Sequence, residues 1–96
     1  MNYRNRKLLD LARGQPCIVC GADDGTTVAA HSNWSAHGKG KSIKAHDCFI
    51  AFLCYRCHME LDEGKQSRDD KVAMFRSAMD ATMLHLWRTG KIKVSL

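Results

Sequence analysis

Two short segments, Cys17-Ile-Val-Cys20 and Cys54-Tyr-Arg-Cys57, decide the fold of this chain. In each segment two residues separate the cysteines, and 33 residues lie between the segments. Zinc prefers four ligands in a tetrahedron, and two thiolates spaced in this way span one of its edges. Redox chemistry is the alternative, but no βαβ pattern surrounds either segment. We therefore expect Cys17, Cys20, Cys54 and Cys57 to hold one structural zinc ion.

The size and charge of the chain agree with this expectation. A chain of 96 residues forms a single domain (1–96) with a modest core, and a bound metal supplies folding free energy that such a core lacks. Four protein thiolates leave no open position for water or substrate, so the zinc is expected to be structural. The formal net charge of +5 is a modest basic bias that favours a polyanionic partner.

The compartment follows from the cysteines and from the apolar segments. The first residues are polar and basic, without the apolar stretch of a secretory signal. The longest apolar run, 48–55, is too short to cross a membrane. Five cysteines is an odd number, which suits a reducing compartment better than a set of disulfides. We expect a cytoplasmic protein without membrane contact.

The secondary structure is read from turn residues and apolar spacing. A short basic N-terminal helix is expected over 5–12, strands over 26–31 and 48–53, and a mobile polar loop over 32–44. The second cysteine pair opens a short helix that ends near Gly64. A terminal strand is expected over 91–96.

The clearest element is a long C-terminal helix over 69–88. Its apolar residues recur at helical spacing and form one stripe expected in the core: Val72, Phe75, Met79, Thr82, Met83 and Leu86. The order of elements is knuckle, two strands, knuckle and helix. It predicts the α+β class: a small zinc-stapled treble-clef or ββα-metal core over about 15–64, flanked by a short N-terminal helix and a long C-terminal helix.

Three stretches carry a resemblance to a known family. They are Ala30-His31, Lys44-Ala-His-Asp47 and Leu53-Cys54-Tyr-Arg-Cys57-His58. Together they resemble the HNH (ββα-metal) endonucleases. The closest similarity is to the small prophage-encoded YbcO-type nuclease family, and RecA-dependent phage nucleases are more distant relatives. The resemblance covers about residues 15–64.

The resemblance implies a metal-dependent phosphodiesterase that acts on DNA. His31 matches the general base at the end of the first strand, and Asp47 and His58 match catalytic metal ligands. Asp62 lies one helical turn after His58 and adds a further ligand. The implied cofactor is a second divalent ion, Mg²⁺, Mn²⁺, Ni²⁺ or Zn²⁺, beside the structural Zn²⁺.

One position departs from the family pattern. Many HNH sites carry Asp or His immediately before the general base, whereas this chain has Ala30. Loop residues that could replace the missing ligand are His46, His37 and Asn33.

The polar loop supplies the expected nucleic-acid contacts. Lys39, Lys41 and Lys44 lie among its glycines and suit phosphate contacts without base readout. Trp34 either stacks on a base or covers the apolar core, and the sequence leaves both open.

Other functions also fit the same residues. The main alternative is a noncatalytic zinc-finger nucleic-acid-binding or adaptor module of phage DNA metabolism, and a third reading is an inhibitor-like domain that binds protein. The sequence also leaves open a homodimer through the long helix, a recombination or replication protein as partner, and the form of the nucleic acid.

Overall fold

The centre of the fold is a two-stranded antiparallel sheet, seen in a computed structural model that describes residues 1–95. Strand β1 runs Val28–His31 and strand β2 runs Ile50–Leu53, with Val28 opposite Leu53 and His31 opposite Ile50. All four residues of β2 are buried. A strand that is apolar on both faces needs cover on both sides, and the helices provide it.

The outer edge of β2 is closed by two other elements. The backbone N–H of Phe52 donates to Thr82 Oγ1 at 3.1 Å, and its carbonyl accepts from the N–H of Ile18 at 2.9 Å. Buried backbone groups need such partners because water cannot reach them. The first cysteine segment and the C-terminal helix are thereby fixed to the same strand.

Three α-helices surround the sheet: α1 (Arg6–Asp10), α2 (Tyr55–Glu63) and α3 (Arg68–Arg88). Ser67 caps α3, because its side chain accepts from the N–H of Asp70 at 3.1 Å. The residues of α3 that are buried are Phe75, Ala78, Thr82 and Leu86. Val72, Met79 and Met83 of the expected stripe are only partly buried, since the narrow sheet covers less than the whole apolar face.

Helix α3 seals the core on both faces of β2. One cluster of buried residues contains Ala30, Ala51 and Leu53 together with Phe75 and Ala78. The other contains Ile50 and Phe52 with Leu8, Ala12 and Leu86. Neighbouring residues of a strand point to opposite faces. Helix α3 therefore crosses β2, and its N-terminal half packs on one face of the strand while its C-terminal half packs on the other. The expected α+β class is confirmed.

The segment between the strands contains short regular elements, although a mobile loop was expected. It contains a short 3-10 helix (Ser35–His37) and a bridge between Gly40 and Ile43. The expected terminal strand is not present over residues 91–95, and residue 96 lies outside the described range. Among residues 1–95, the helices fall short of the length and apolar character that crossing a membrane requires.

Candidate functional site

Four cysteine sulfurs form a compact cluster. The Sγ atoms of Cys17, Cys20, Cys54 and Cys57 lie within 4.8 Å of one another, and those of Cys20 and Cys54 are 3.6 Å apart. Zinc–sulfur bonds of about 2.3 Å place the thiolates of a tetrahedral site roughly 3.8 Å apart. None of the four is in a disulfide. The soft donor set and these spacings fit a zinc ion, and the cluster can hold one.

Local backbone structure presents these sulfurs. The first pair lies in a tight turn, where the N–H of Cys17 donates to the carbonyl of Ala22 and the N–H of Gly21 donates to that of Cys17, both at 2.9 Å. Gly21 has a φ of 77°, a left-handed conformation that favours glycine. Cys54 is the N-cap of α2, so Cys57 lies on the first turn of that helix.

The cluster shifts the pKa values of its thiols in opposite directions. Burial raises the pKa of Cys17, but backbone hydrogen bonds, the largest from Cys20 and Cys54, outweigh it and lower that pKa to about 6. Burial and the neighbouring thiols instead raise the pKa of Cys57. Four thiolates at this spacing repel one another, and a divalent ion reverses that repulsion.

A second polar cluster lies where the strands end near residue 31. His31 Nε2 is 2.8 Å from Asp47 Oδ1, and the Asp47 side chain is 3% exposed. Asp47 Oδ2 accepts from the N–H of Asn5 at 2.6 Å, and Oδ1 also accepts from Arg4 Nη1 at 3.2 Å. Burial raises the pKa of Asp47, but the hydrogen bonds from His31 and Asn5 outweigh it, so the pKa is lowered.

The hydrogen bond to Asp47 selects the tautomer of the His31 ring. An ionised carboxylate only accepts hydrogen bonds, so Nε2 of His31 must donate to Asp47. The neutral ring then carries its proton on Nε2 and leaves Nδ1 as the atom that can accept a proton.

Residues 2–5 hold the loop that carries Asp47. Asn2 Nδ2 donates to the carbonyls of Gly38 and Lys44 at 2.7 and 2.8 Å. The N–H of Tyr3 donates to His46 Nδ1 at 2.8 Å. Arg4 donates from its two terminal nitrogens to the carbonyls of Ala45 and Lys44. The N-terminal segment (residues 2–5) therefore supports the position of Asp47.

His31 also lines a pocket of about 350 Å³ between the end of β1, α2 and α3. His58 Nε2 and Asp62 Oδ2 are 3.6 Å apart there, one turn apart on α2. Asn33 also lines the pocket, and α3 contributes two cations, Arg68 and Lys71. The remaining lining is apolar and consists of Trp34, Leu61, Val72 and Phe75. Imidazole, carboxylate and amide groups thus share one open site with positive charge.

The structure brings together most, but not all, of the expected reaction residues. His31, His58, Asp62 and Trp34 line the pocket. Asp47 does not, and hydrogen bonds from His31, Asn5 and Arg4 reach both of its oxygens.

The other sequence candidates have separate surroundings. Ala30 is buried in the core beside Phe75. Lys39, Lys41 and Lys44 lie in the inter-strand segment and do not line the pocket. Of the loop residues that could replace a ligand, Asn33 lines the pocket. His37 forms a hydrogen bond with Ser32 Oγ at 2.6 Å, and His46 accepts one from the N–H of Tyr3. Both histidines therefore stabilise the inter-strand segment.

Trp34 packs against the apolar core, which was one of the two roles that the sequence left open; the other, stacking on a base, stays a prediction. It lines the pocket, and its ring packs edge-on against buried Phe75 at 6.2 Å. The guanidinium of Arg76 lies 5.2 Å from its ring centroid, a cation–π contact. Sequence reasoning missed Arg68 and Lys71. Their spacing from Val72 and Phe75 on one helical face was the available signal.

Comparison with known proteins identifies a family for this chain. Among curated proteins and solved structures, none is significantly similar to it. The sequence profile of a family described as "Protein of unknown function (DUF968)" matches residues 1–83. That range contains the cysteine cluster, the pocket and the N-terminal segment. The chain therefore belongs to the DUF968 family.

Proposed function

We propose that the protein is a metal-dependent phosphodiesterase of the HNH type that cleaves nucleic acid, with DNA as the expected substrate. One observation carries the proposal: His31, oriented by Asp47, lines the same pocket as the His58–Asp62 pair. A general base, two metal-ligating side chains and two phosphate-binding cations are the parts that such a hydrolysis needs.

The proposed core is a treble clef built around a structural zinc ion. The first cysteine pair lies in a turn before the hairpin, and the second opens a helix after it. Supporting this role, the cluster joins the turn, the end of β2 and the start of α2. The zinc ligand Cys57 directly precedes His58, so the zinc also fixes the start of the helix that carries the pocket residues.

His31 acts on the attacking water. Its Nδ1 accepts a proton from water as the water oxygen forms a bond to phosphorus, and the bond from phosphorus to the departing sugar oxygen breaks. Asp47 stabilises the imidazolium that forms, because its carboxylate already accepts from Nε2. The leaving oxygen takes a proton from solvent, which balances the reaction.

His58 and Asp62 would hold the second metal, and Asn33 lines the same pocket. An imidazole with a carboxylate and an amide suits Mn²⁺, Ni²⁺ or Zn²⁺ better than Mg²⁺, which prefers oxygen ligands alone. When bound, such an ion neutralises charge on the phosphate and the departing oxygen. Arg68 and Lys71 hold the phosphate beside these groups.

The test is cleavage of supercoiled plasmid with added Mg²⁺, Mn²⁺ or Ni²⁺. We expect wild-type protein to nick the plasmid and His31→Ala and His58→Ala to lose at least about 10²-fold in rate. The matched control is His85→Ala, because His85 lies on α3, contacts Gln15 and does not line the pocket. Equal cleavage by wild type and His31→Ala would indicate a contaminating nuclease and refute the proposal.

A noncatalytic zinc-finger module that binds nucleic acid, or an adaptor in phage DNA metabolism, is the second candidate. The observation in its favour is the small number of available metal ligands. Alanine stands at position 30, and both oxygens of Asp47 already accept hydrogen bonds. Paramagnetic broadening by Mn²⁺ separates the two. Selective broadening of His58 and Asp62 resonances supports the enzyme, whereas DNA binding without broadening or cleavage supports the module.

A further inference from the structure

We propose that the pocket receives one unpaired nucleotide, so that the substrate is single-stranded nucleic acid rather than a duplex. This inference rests on the proposed function for the reacting groups. It adds the substrate class, which neither the cysteine cluster nor the histidines determine.

The first argument is the mixed lining of the pocket. Histidines and cations line it together with four apolar side chains, those of Trp34, Leu61, Val72 and Phe75. A duplex presents its sugar–phosphate exterior to a protein and keeps its base faces stacked inside. An unpaired nucleotide exposes a flat base face, and aromatic side chains bind such faces in single strands. A pocket that combines apolar side chains with phosphate-binding cations therefore matches an unpaired nucleotide.

The second argument is the state of the two cations. Arg68 is exposed and Lys71 is partly buried, one turn apart on α3. Across residues 1–95, neither forms a salt bridge. Cations without a carboxylate partner at the edge of a pocket are available for an anionic ligand, and the phosphate of the bound nucleotide is such a group.

The third argument is the restraint on Trp34. Phe75 contacts its ring edge-on at 6.2 Å and Arg76 lies 5.2 Å from its centroid. A side chain that is already held loses little conformational freedom when a base stacks on it. The volume of about 350 Å³ lies at the small end of the range of about 300–1,000 Å³ for small-ligand pockets, which suits one nucleotide.

The experiment measures binding by a variant that does not cleave. His31→Ala is combined with Trp87→Phe, which leaves Trp34 as the single tryptophan, since the chain has two. Short oligonucleotides of one sequence are titrated as single-stranded DNA, single-stranded RNA and duplex DNA. Anisotropy of a label on the strand gives the affinity, and tryptophan fluorescence reports contact with Trp34.

We expect a single strand to bind at least about tenfold more tightly than the duplex, as one stacked base provides, and to quench Trp34. Tighter binding of either the DNA or the RNA strand supports the proposal and identifies the natural strand. Arg68→Gln and Lys71→Gln should each reduce the slope of log affinity against log salt by about 0.7. Arg88→Gln is the control, because Arg88 ends the same helix away from the pocket.

The proposal is overturned if the duplex binds as tightly as both single strands, if Trp34 fluorescence does not change on binding, or if Arg68→Gln and Lys71→Gln behave as Arg88→Gln does. Its failure is distinct from failure of the proposed function. Absence of cleavage by wild-type protein refutes the phosphodiesterase activity. The preference for single strands is then decided by the anisotropy and Trp34 fluorescence measurements alone. Cleavage with a preference for duplex refutes only the substrate class.

Discussion

His31 and Asp47 lie 16 residues apart in the chain, yet Nε2 of the first is 2.8 Å from Oδ1 of the second. The hairpin creates this contact, because His31 ends β1 opposite Ile50, the first residue of β2, and Asp47 lies just before that strand. The buried carboxylate selects one tautomer of the ring. It leaves Nδ1 of His31 as the unprotonated nitrogen of the neutral ring, and the proposed function uses this atom as the base.

Asp47→Asn should disrupt this arrangement while keeping the side-chain volume. Three N–H donors, from His31, Arg4 and Asn5, converge on the two carboxylate oxygens, and an amide offers only one oxygen. We expect plasmid cleavage to fall by about 10²-fold or more, as for loss of a correctly oriented base. Long-range proton–nitrogen NMR spectra of the His31 ring should show a mixture of tautomers. A single unchanged tautomer with full activity would contradict the role of Asp47.

Arg4→Gln should weaken the site from the N-terminal side. Arg4 donates to Asp47 at 3.2 Å and to the carbonyls of Ala45 and Lys44 at 2.7 and 2.8 Å. We expect the free energy of unfolding in urea to fall by about 1–2 kcal/mol, together with slower cleavage. Arg6→Gln is the control, because Arg6 only pairs with Asp10 on the surface of α1. Its cost should stay below about 0.5 kcal/mol, and equal costs for both variants would show that Arg4 has no special role.

Removal of zinc should unfold the protein. The four thiols draw together the first turn, β2 and α2, and binding energy at such sites contributes directly to folding. We expect one zinc per chain by elemental analysis, and loss of cooperative thermal unfolding after treatment with a strong chelator. Cys57→Ser should lower the zinc content, whereas Cys48→Ser should retain it, because Cys48 lies outside the cluster. Cooperative unfolding of the metal-free chain would contradict this prediction.

Thr82→Val should destabilise the junction of α3 and β2. Thr82 is fully buried, and its hydroxyl accepts from the N–H of Phe52. Valine keeps the shape and leaves that N–H without a partner, which costs about 1–3 kcal/mol. The control is Thr89→Val, since the hydroxyl of Thr89 bonds the exposed end of α3. Chemical denaturation of both variants makes the comparison, and a cost for Thr82→Val no larger than that for Thr89→Val would count against the junction.

Local features of the sequence were sufficient to predict most helices and strands and the cysteine cluster. Helix α3 begins at Arg68, one residue before the expected start, and ends at Arg88 as expected. Apolar spacing and capping residues act within a few residues, so they can be read directly. The strands are shorter than expected. The conformation of the inter-strand segment depends on hydrogen bonds from residues 2–5. No local pattern reports such contacts.

The sequence by itself identified which four cysteines form the cluster. The spacing within each pair brings two sulfurs towards one centre, and a single ion can bind both pairs. It also determined the helical position of His58 and Asp62, one turn apart. Only the tertiary structure decided that Asp47 lies behind His31 and that Arg68 and Lys71 face the pocket. The physical reason is that these placements depend on how α3 and the N-terminal segment pack against the hairpin. Packing between distant segments follows from the burial of the whole core rather than from any local pattern.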